Sequence, residues 1–234
     1  MNEHEAKEAV RAMGLKLIET GLTAGTWGNA SMRFSDDEMA ITPSGMDYQE
    51  MRAEDVVIVD LKTGEARGGK PSSEKALHIE IYKKRPEAKA IVHTHSMSAS
   101  TVAAARREVP PILDDLAQIV GPTLRVAEYS IPGSKKMGRA VIRAMSGRTA
   151  ALMANHGAVA MGRSPEEAIL CAQIVEKGCK AFIEAAFLGG AKSIPRFEAA
   201  IMHEVYLRKY SKLRNQRPKT ASSQSSSDQS ASDL

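Results

Sequence analysis

Between residues 4 and 20 apolar side chains recur at helical spacing (Val10, Met13 and Leu17, with Ala6 and Leu15 alongside), and the pattern stops at Gly21. The chain therefore opens on an amphipathic helix. Gly25, Gly28 and Asn29 then break any helix before the alternation Ala30-Ser31-Met32-Arg33-Phe34, which predicts a strand. MAITPSG predicts a second short strand ending in a turn, and DVVIVDLKTGEARGGK a third that passes through a Thr63-Gly64 turn into a partner. Ser73 to Lys84 is helical in period, and AKAIVHTH, ending at His95, is an apolar run of strand length. THSMSASTVAAARR predicts a helix, LRVAEYSI a strand and KKMGRAVIRAM another helix. TAALMANHGAVAMG is a pair of strands interrupted at Asn155-His156-Gly157. A long helix follows, capped by Ser164, with Pro165 first inside and Glu167 three positions on. The last helix runs from about Phe197 to Arg214. Irregular alternation of helices and strands, with strand pairs joined by tight turns, points to the α/β class: a largely antiparallel central sheet covered by helices.

After Pro218 the text becomes TASSQSSSDQSASDL, with almost no apolar side chain to repay ordering. The expected division is one domain over residues 1–217 and a disordered Ser-rich tail over 218–234. At 234 residues, 43% apolar and 26% charged, the chain can bury a core without disulfides. Its two cysteines, Cys171 and Cys179, fall in one predicted helix about 80° apart, so reduced thiols are expected. No apolar run approaches the ~18 residues of a membrane span, and the start lacks the layout of a secretory signal; a cytoplasmic protein with no membrane partner is expected. The net charge of +4 comes from 32 basic against 28 acidic residues, the excess lying mainly in and beyond the last helix. With aromatics at 4%, stacking platforms are scarce, which argues against a nucleic-acid partner.

The strongest chemical signal is His93-Thr94-His95 on a predicted strand. Alternation places both imidazoles on one side, where they can close on one metal ion; two polar residues at a strand end is the plainer alternative. His156, in the Gly-containing turn between two strands, and Glu74, in the first turn of a helix, complete a set of three imidazoles and a carboxylate of the type zinc prefers. Gly25 to Ser31, Thr42-Pro43-Ser44-Gly45 and Ser72-Ser73 are rich in glycine and short polar side chains. They can present N–H and O–H donors to phosphate, the last with help from a helix start. His78, one turn after Glu74, either contacts the carboxylate or a neighbour or is a satisfied helix histidine. Trp27 is expected to pack its loop.

GTWGNAS, ITPSG, KPSSE, VHTH and NHG, in that order between residues 25 and 157, together resemble the class II aldolase/adducin family. The resemblance covers the chain from the first helix to about Arg214. It implies a three-layer α/β/α fold and a homotetramer with active sites at subunit interfaces. It also implies one Zn2+ per chain, or another divalent metal such as Mn2+ or Co2+, held by His93, His95, His156 and Glu74, with Glu74 doubling as base. Asn29, Ser44, Gly45, Ser72 and Ser73 match the family's phosphate cradle, with Thr26 and Gly28 in the same loop. Asp114 stands where the family's fuculose-phosphate enzymes carry a tyrosine acid, and an ordinary carboxyl, with a pKa of about 3.9, makes a poor general acid at neutral pH. Tyr210 lies near the position from which a C-terminal tyrosine can enter a neighbour's pocket. The implied activity is aldol cleavage of a ketose 1-phosphate, of the L-fuculose or the 5-deoxy- or methylthio-pentulose type, to dihydroxyacetone phosphate and an aldehyde. Pentulose-5-phosphate 4-epimerase, sugar-acid phosphate decarboxylase and methylthioribulose-1-phosphate dehydratase chemistry are the family alternatives, and an adducin-like scaffold without catalysis is the remote one.

Overall fold

A computed structural model describes the backbone of residues 1–214 and side chains as far as Lys209; the Ser-rich tail lies outside the described residues. In chain order the elements are α1 (Glu3–Glu19), β1 (Asn29–Arg33), β2 (Glu38–Ile41), a short 3-10 turn (Ala53–Asp55), β3 (Val57–Asp60), β4 (Ala66–Arg67), α2 (Lys75–Lys84), β5 (Ala90–Thr94), α3 (Met97–Ala104), α4 (Asp114–Ile119), β6 (Val126–Ala127), α5 (Lys135–Ala144), β7 (Ala150–Met153), β8 (Gly157–Gly162), α6 (Pro165–Ala186) and α7 (Arg196–Arg214). The strands form one sheet in the order β4-β3-β2-β1-β5-β8-β7-β6. Only β6 and β7 run parallel, so the expected largely antiparallel sheet is present.

Strand alternation sorts the core into two faces. Ala30, Met32, Val92, Leu152 and Ala160 pack with Val10 and Leu17 of α1, Val102 of α3, Leu116 of α4 and Val175 of α6. Ile41, Val59, Ile91, Val159 and Met161 pack on the other side with Leu77 and Ile81 of α2 and Met137 and Val141 of α5. This is the three-layer arrangement, with strands that are apolar on both faces because both are covered.

The helix starts follow the sequence. Asn2 and Glu5 form a reciprocal capping box at α1, and Ser164 accepts from Glu167 N with Pro165 in the first turn of α6. Two elements depart from expectation. LRVAEYSI contributes only Val126 and Ala127 to the sheet, because it is an edge segment paired on one side alone. Asp114–Ile119, unassigned by pattern, is a short helix whose Leu116, Ala117 and Ile119 are buried, while Asp114 and Asp115 favour its N-terminus. Both cysteines are free and buried, as expected.

Candidate active site

The site is assembled where β1, β5 and β8 adjoin the start of α2. Asn29 on β1 sits directly across from His93 on β5, and His93 across from Val159 on β8. His95 follows β5 by one residue and is anchored by its own N–H to Leu22 O, 3.2 Å. His156 is held in the turn between β7 and β8, where Asn155 takes a left-handed φ of 56°.

The three imidazoles converge. One nitrogen of each lies within 4.8 Å of the others, and the rings meet edge to face at 4.6–4.9 Å between centroids. His93 Nδ1 is 2.9 Å from Ala158 O, a contact that makes it the donor and leaves Nε2 bare, facing His95 Nε2 at 2.8 Å. Burial together with the neighbouring rings disfavours the charged form of His95, whose pKa is pushed down to about 4, and burial lowers that of His156.

Glu74 closes the group. Its Oε2 lies 3.1 Å from His93 Nε2 and its Oε1 3.4 Å from His156 Nε2. Asn29 Nδ2 donates to Oε2 at 3.0 Å, whereas Oε1 is buried without a hydrogen-bond partner. Burial raises the carboxyl pKa, but the His93 and His156 rings and the Asn29 donor outweigh it, and Glu74 is held below the ordinary glutamate range. The sequence places Glu74 in the first helical turn; the structure makes it the residue capping α2, with helical hydrogen bonding starting at Lys75. Three imidazole lone pairs and a buried carboxylate oxygen without a hydrogen-bond partner converge on one point, a donor set that a divalent metal fits.

The predicted phosphate segments are neighbours. Thr42 pairs with Ala30 through its N–H, Ser72 N donates to Thr42 O at 3.0 Å, and Ser44 N to Lys70 O at 3.0 Å. Asn29, Ser44 and Ser72 thus lie on adjoining segments, and Ser72 Oγ accepts from Glu74 N at 3.3 Å. Asn29 and Ser72 are buried, whereas Thr26, Gly45 and Ser73 are exposed. Gly28, with φ of 74°, has no room for a side chain, because a Cβ would come within 2.7 Å of His93 O. Trp27, expected to pack its loop, is 66% exposed and tilts over His95 at 5.5 Å between ring centroids.

Asp114 makes no described contact with this cluster. It is exposed at the first residue of α4, and among the described residues no hydrogen bond or ion pair joins it to the site. The side chain of Tyr210 lies outside the described residues. The sequence pattern does not single out Tyr82, and it places Ser31 in a phosphate-type segment, whereas its hydroxyl meets His78 and Tyr82 instead. Glu74, His78 and Tyr82, at steps of four, face the alternating Asn29, Ser31 and Arg33, and that pairing of polar positions at helical and strand period was the available signal.

Comparison with known proteins decides the family. Residues 8–183 match the model of the Class II Aldolase and Adducin N-terminal domain. The chain belongs to the class II aldolase/adducin family. It is 38% identical over 196 residues to 5-deoxy-D-ribulose 1-phosphate aldolase of Bacillus thuringiensis serovar kurstaki, covering 82% of this chain and 91% of that protein. With 5-methylthioribulose-1-phosphate/5-deoxyribulose-1-phosphate aldolase of Rhodospirillum rubrum it shares 39% over 158 residues, 67% and 71% of the two chains. A solved L-fuculose 1-phosphate aldolase superposes with a TM-score of 0.82 at 35% identity, covering 87% of this chain and 96% of that one. These class II aldolase relatives share the fold that the sequence segments implied. Among the described residues no helix is long and apolar enough to cross a membrane.

Proposed function

We propose that this protein is a metal-dependent aldolase that cleaves a ketose 1-phosphate, of the 5-deoxy- or 5-methylthio-pentulose or L-fuculose type, to dihydroxyacetone phosphate and an aldehyde. The observation that carries this reading is the convergence of His93, His95 and His156 with Glu74, whose free Oε1 faces them, beside Ser72 at the start of a helix. His93, His95 and His156 would hold one zinc ion, a choice that follows from three imidazoles and a carboxylate. When bound, the metal supplies a Lewis acid for the negative charge that develops as C3–C4 breaks.

The chain's own residues do the rest. Asn29, Ser44, Gly45, Ser72 and Ser73, with Thr26 and Gly28 shaping the loop, receive the phosphate through neutral donors and the positive end of α2. Glu74, ionised at rest, takes the C3 proton of dihydroxyacetone phosphate in the condensation direction and, after taking up a proton from solvent, returns one to that carbon in cleavage. The exposed face of Trp27 beside His95 offers an apolar surface suited to a methyl or methylthio end, which favours the deoxy and methylthio sugars. The proton on the aldehyde oxygen is assigned to Asp114 or Tyr210 of a neighbouring copy, since among the described residues no hydrogen bond or ion pair joins Asp114 to the site of its own chain.

A homotetramer supplies that neighbour, and the exposed Phe187, Leu188, Phe197, Ile201 and Val205 provide apolar surface for association. Buried, unpaired cysteines support a reducing, cytoplasmic setting. The test is a panel of ketose 1-phosphates with coupled detection of dihydroxyacetone phosphate. Release from the 5-deoxy- or 5-methylthio-pentulose phosphates or from L-fuculose 1-phosphate supports the reading, and release from none of the panel overturns it.

A further inference from the structure

Behind Glu74 a line of polar side chains runs through the interior between β1 and α2. Asn29 Nδ2 donates to Glu74 Oε2 at 3.0 Å, so its Oδ1 is the atom that faces His78 Nε2, 2.5 Å away. His78 Nδ1 meets Ser31 Oγ at 2.6 Å, and Ser31 Oγ meets Tyr82 OH at 2.9 Å. Asn29, Ser31, His78 and Tyr82 are all buried, so no bulk water can substitute for a missing partner.

Proton counting leaves this line one self-consistent direction. A carboxylate accepts only, so Asn29 must turn its amide nitrogen to Glu74 and its oxygen to His78. That oxygen requires a hydrogen on His78 Nε2. A neutral imidazole carrying it there is bare at Nδ1, so Ser31 donates to Nδ1 and in turn accepts from Tyr82, whose one hydroxyl proton favours Ser31 Oγ at 2.9 Å over Lys89 O at 3.4 Å. Reversal would set Asn29 Oδ1 against the carboxylate, two acceptors at hydrogen-bond distance in a buried space. Burial, with a smaller push from His93, lowers the His78 pKa to about 3 and agrees with a neutral ring.

We propose that His78 is a positioning residue: as the Nε2–H tautomer, set by Ser31 and Tyr82, it fixes the direction of the Asn29 amide and keeps a donor on Glu74. This rests on the reading of Glu74 as the base. Truncation of His78 removes the only group in the line that distinguishes the two ends of the Asn29 amide from behind. Asn29 Oδ1 is then buried without a donor, and the amide, held only from the Glu74 side, no longer positions the hydrogen bond on Oε2.

The experiment uses the intact zinc-loaded protein. With histidines labelled in 15N, the ring-nitrogen shifts of His78, assigned by their absence from the His78→Gln variant, are expected to show a protonated Nε2 and a bare Nδ1. A protonated Nδ1 with bare Nε2, or a charged ring at neutral pH, overturns the proposal. In parallel, His78→Leu is expected to lower kcat/KM about tenfold or more with metal stoichiometry unchanged. His78→Gln, which retains an N–H donor, is expected to recover most of that loss. Equal impairment of the two variants, or an unimpaired His78→Leu, overturns it as well. Absence of sugar-phosphate cleavage in the wild type would remove the proposed function, whereas the nitrogen shifts decide the tautomer independently of turnover.

Discussion

Gly157→Ala isolates how the fold holds the histidines. Gly157 is the first residue of β8, adjacent to His156, and its backbone does not need a left-handed conformation. What it needs is space. A Cβ there would overlap Thr94 O and lie 3.2 Å from Thr94 C and 3.5 Å from His93 Cε1. To restore ordinary contact, β5 and β8 must separate locally by about 1 Å. That opens the Thr94 to Ala158 pairing and the 2.9 Å bond from His93 Nδ1 to Ala158 O, which holds the His93 ring with Nε2 inward. Overpacking of this kind costs about 3 kcal/mol, and at ~2–4 °C per kcal/mol for a chain this long the Tm should fall by roughly 6–12 °C. Releasing the ring from its carbonyl should also weaken metal binding by about 10–100-fold. The comparison is Gly64→Ala, in the turn between β3 and β4. There φ is +76° but the nearest atom to a Cβ is Ile79 Cδ1 at 3.8 Å, so the cost is backbone strain alone, about 1–2 kcal/mol, with metal binding unchanged. Thermal melts and zinc titrations of both variants provide the assay. Wild-type zinc affinity in Gly157→Ala, with a Tm loss no larger than in Gly64→Ala, would refute the reasoning.

Glu74→Gln should keep most metal affinity, because three imidazoles remain, yet lose about 10²-fold or more in turnover, the usual scale for a missing general base. Hydrogen exchange at C3 of dihydroxyacetone phosphate in heavy water, without aldehyde, measures that half-reaction, and a wild-type exchange rate in the variant would reduce Glu74 to a ligand. Ser72→Ala should weaken substrate binding by about 1–3 kcal/mol, seen as a raised KM and weaker inhibition by phosphate-bearing analogues; unchanged values would take Ser72 out of the phosphate site. His78 carries a pH signature. Folded, its pKa is lowered to about 3, and unfolded it is about 6.5, so below that value the unfolded chain binds the extra proton. Its stabilising effect is complete above about pH 6.5 and is lost as pH falls, amounting to about 2 kcal/mol by pH 5. Urea midpoints should therefore fall less steeply with acid in His78→Gln than in the wild type, and parallel falls would show that His78 is not held neutral.

The metal-type residues were legible because their geometry is local. Alternation alone puts His93 and His95 on one side of a strand, and a glycine turn supplies His156; the structure brings all three together. The segments proposed for phosphate stand out by composition, but their adjacency depends on β1–β2 pairing and the Pro43 to Pro71 bridge, which no single segment encodes. The bonding of Ser31 and Tyr82 to His78 was not legible because each is ordinary in its own element and gains meaning only when β1 and α2 are packed face to face. α4 escaped the pattern because six residues are too few for helical period to show. Asp114 illustrates the reverse: its slot in the linear pattern leaves it exposed at the first residue of α4, and among the described residues no hydrogen bond or ion pair ties it to the histidines.

Sugar-phosphate cleavage is expected to depend on a divalent metal held by His93, His95 and His156. Stripping the purified protein with a chelator and adding zinc back, while following dihydroxyacetone phosphate release from the ketose 1-phosphate cleaved fastest, tests it most directly. Activity should be lost on stripping and recover to saturation at about one zinc per chain, with no recovery in His95→Ala. Undiminished cleavage by metal-free protein, or full zinc occupancy and recovery in His95→Ala, would contradict it.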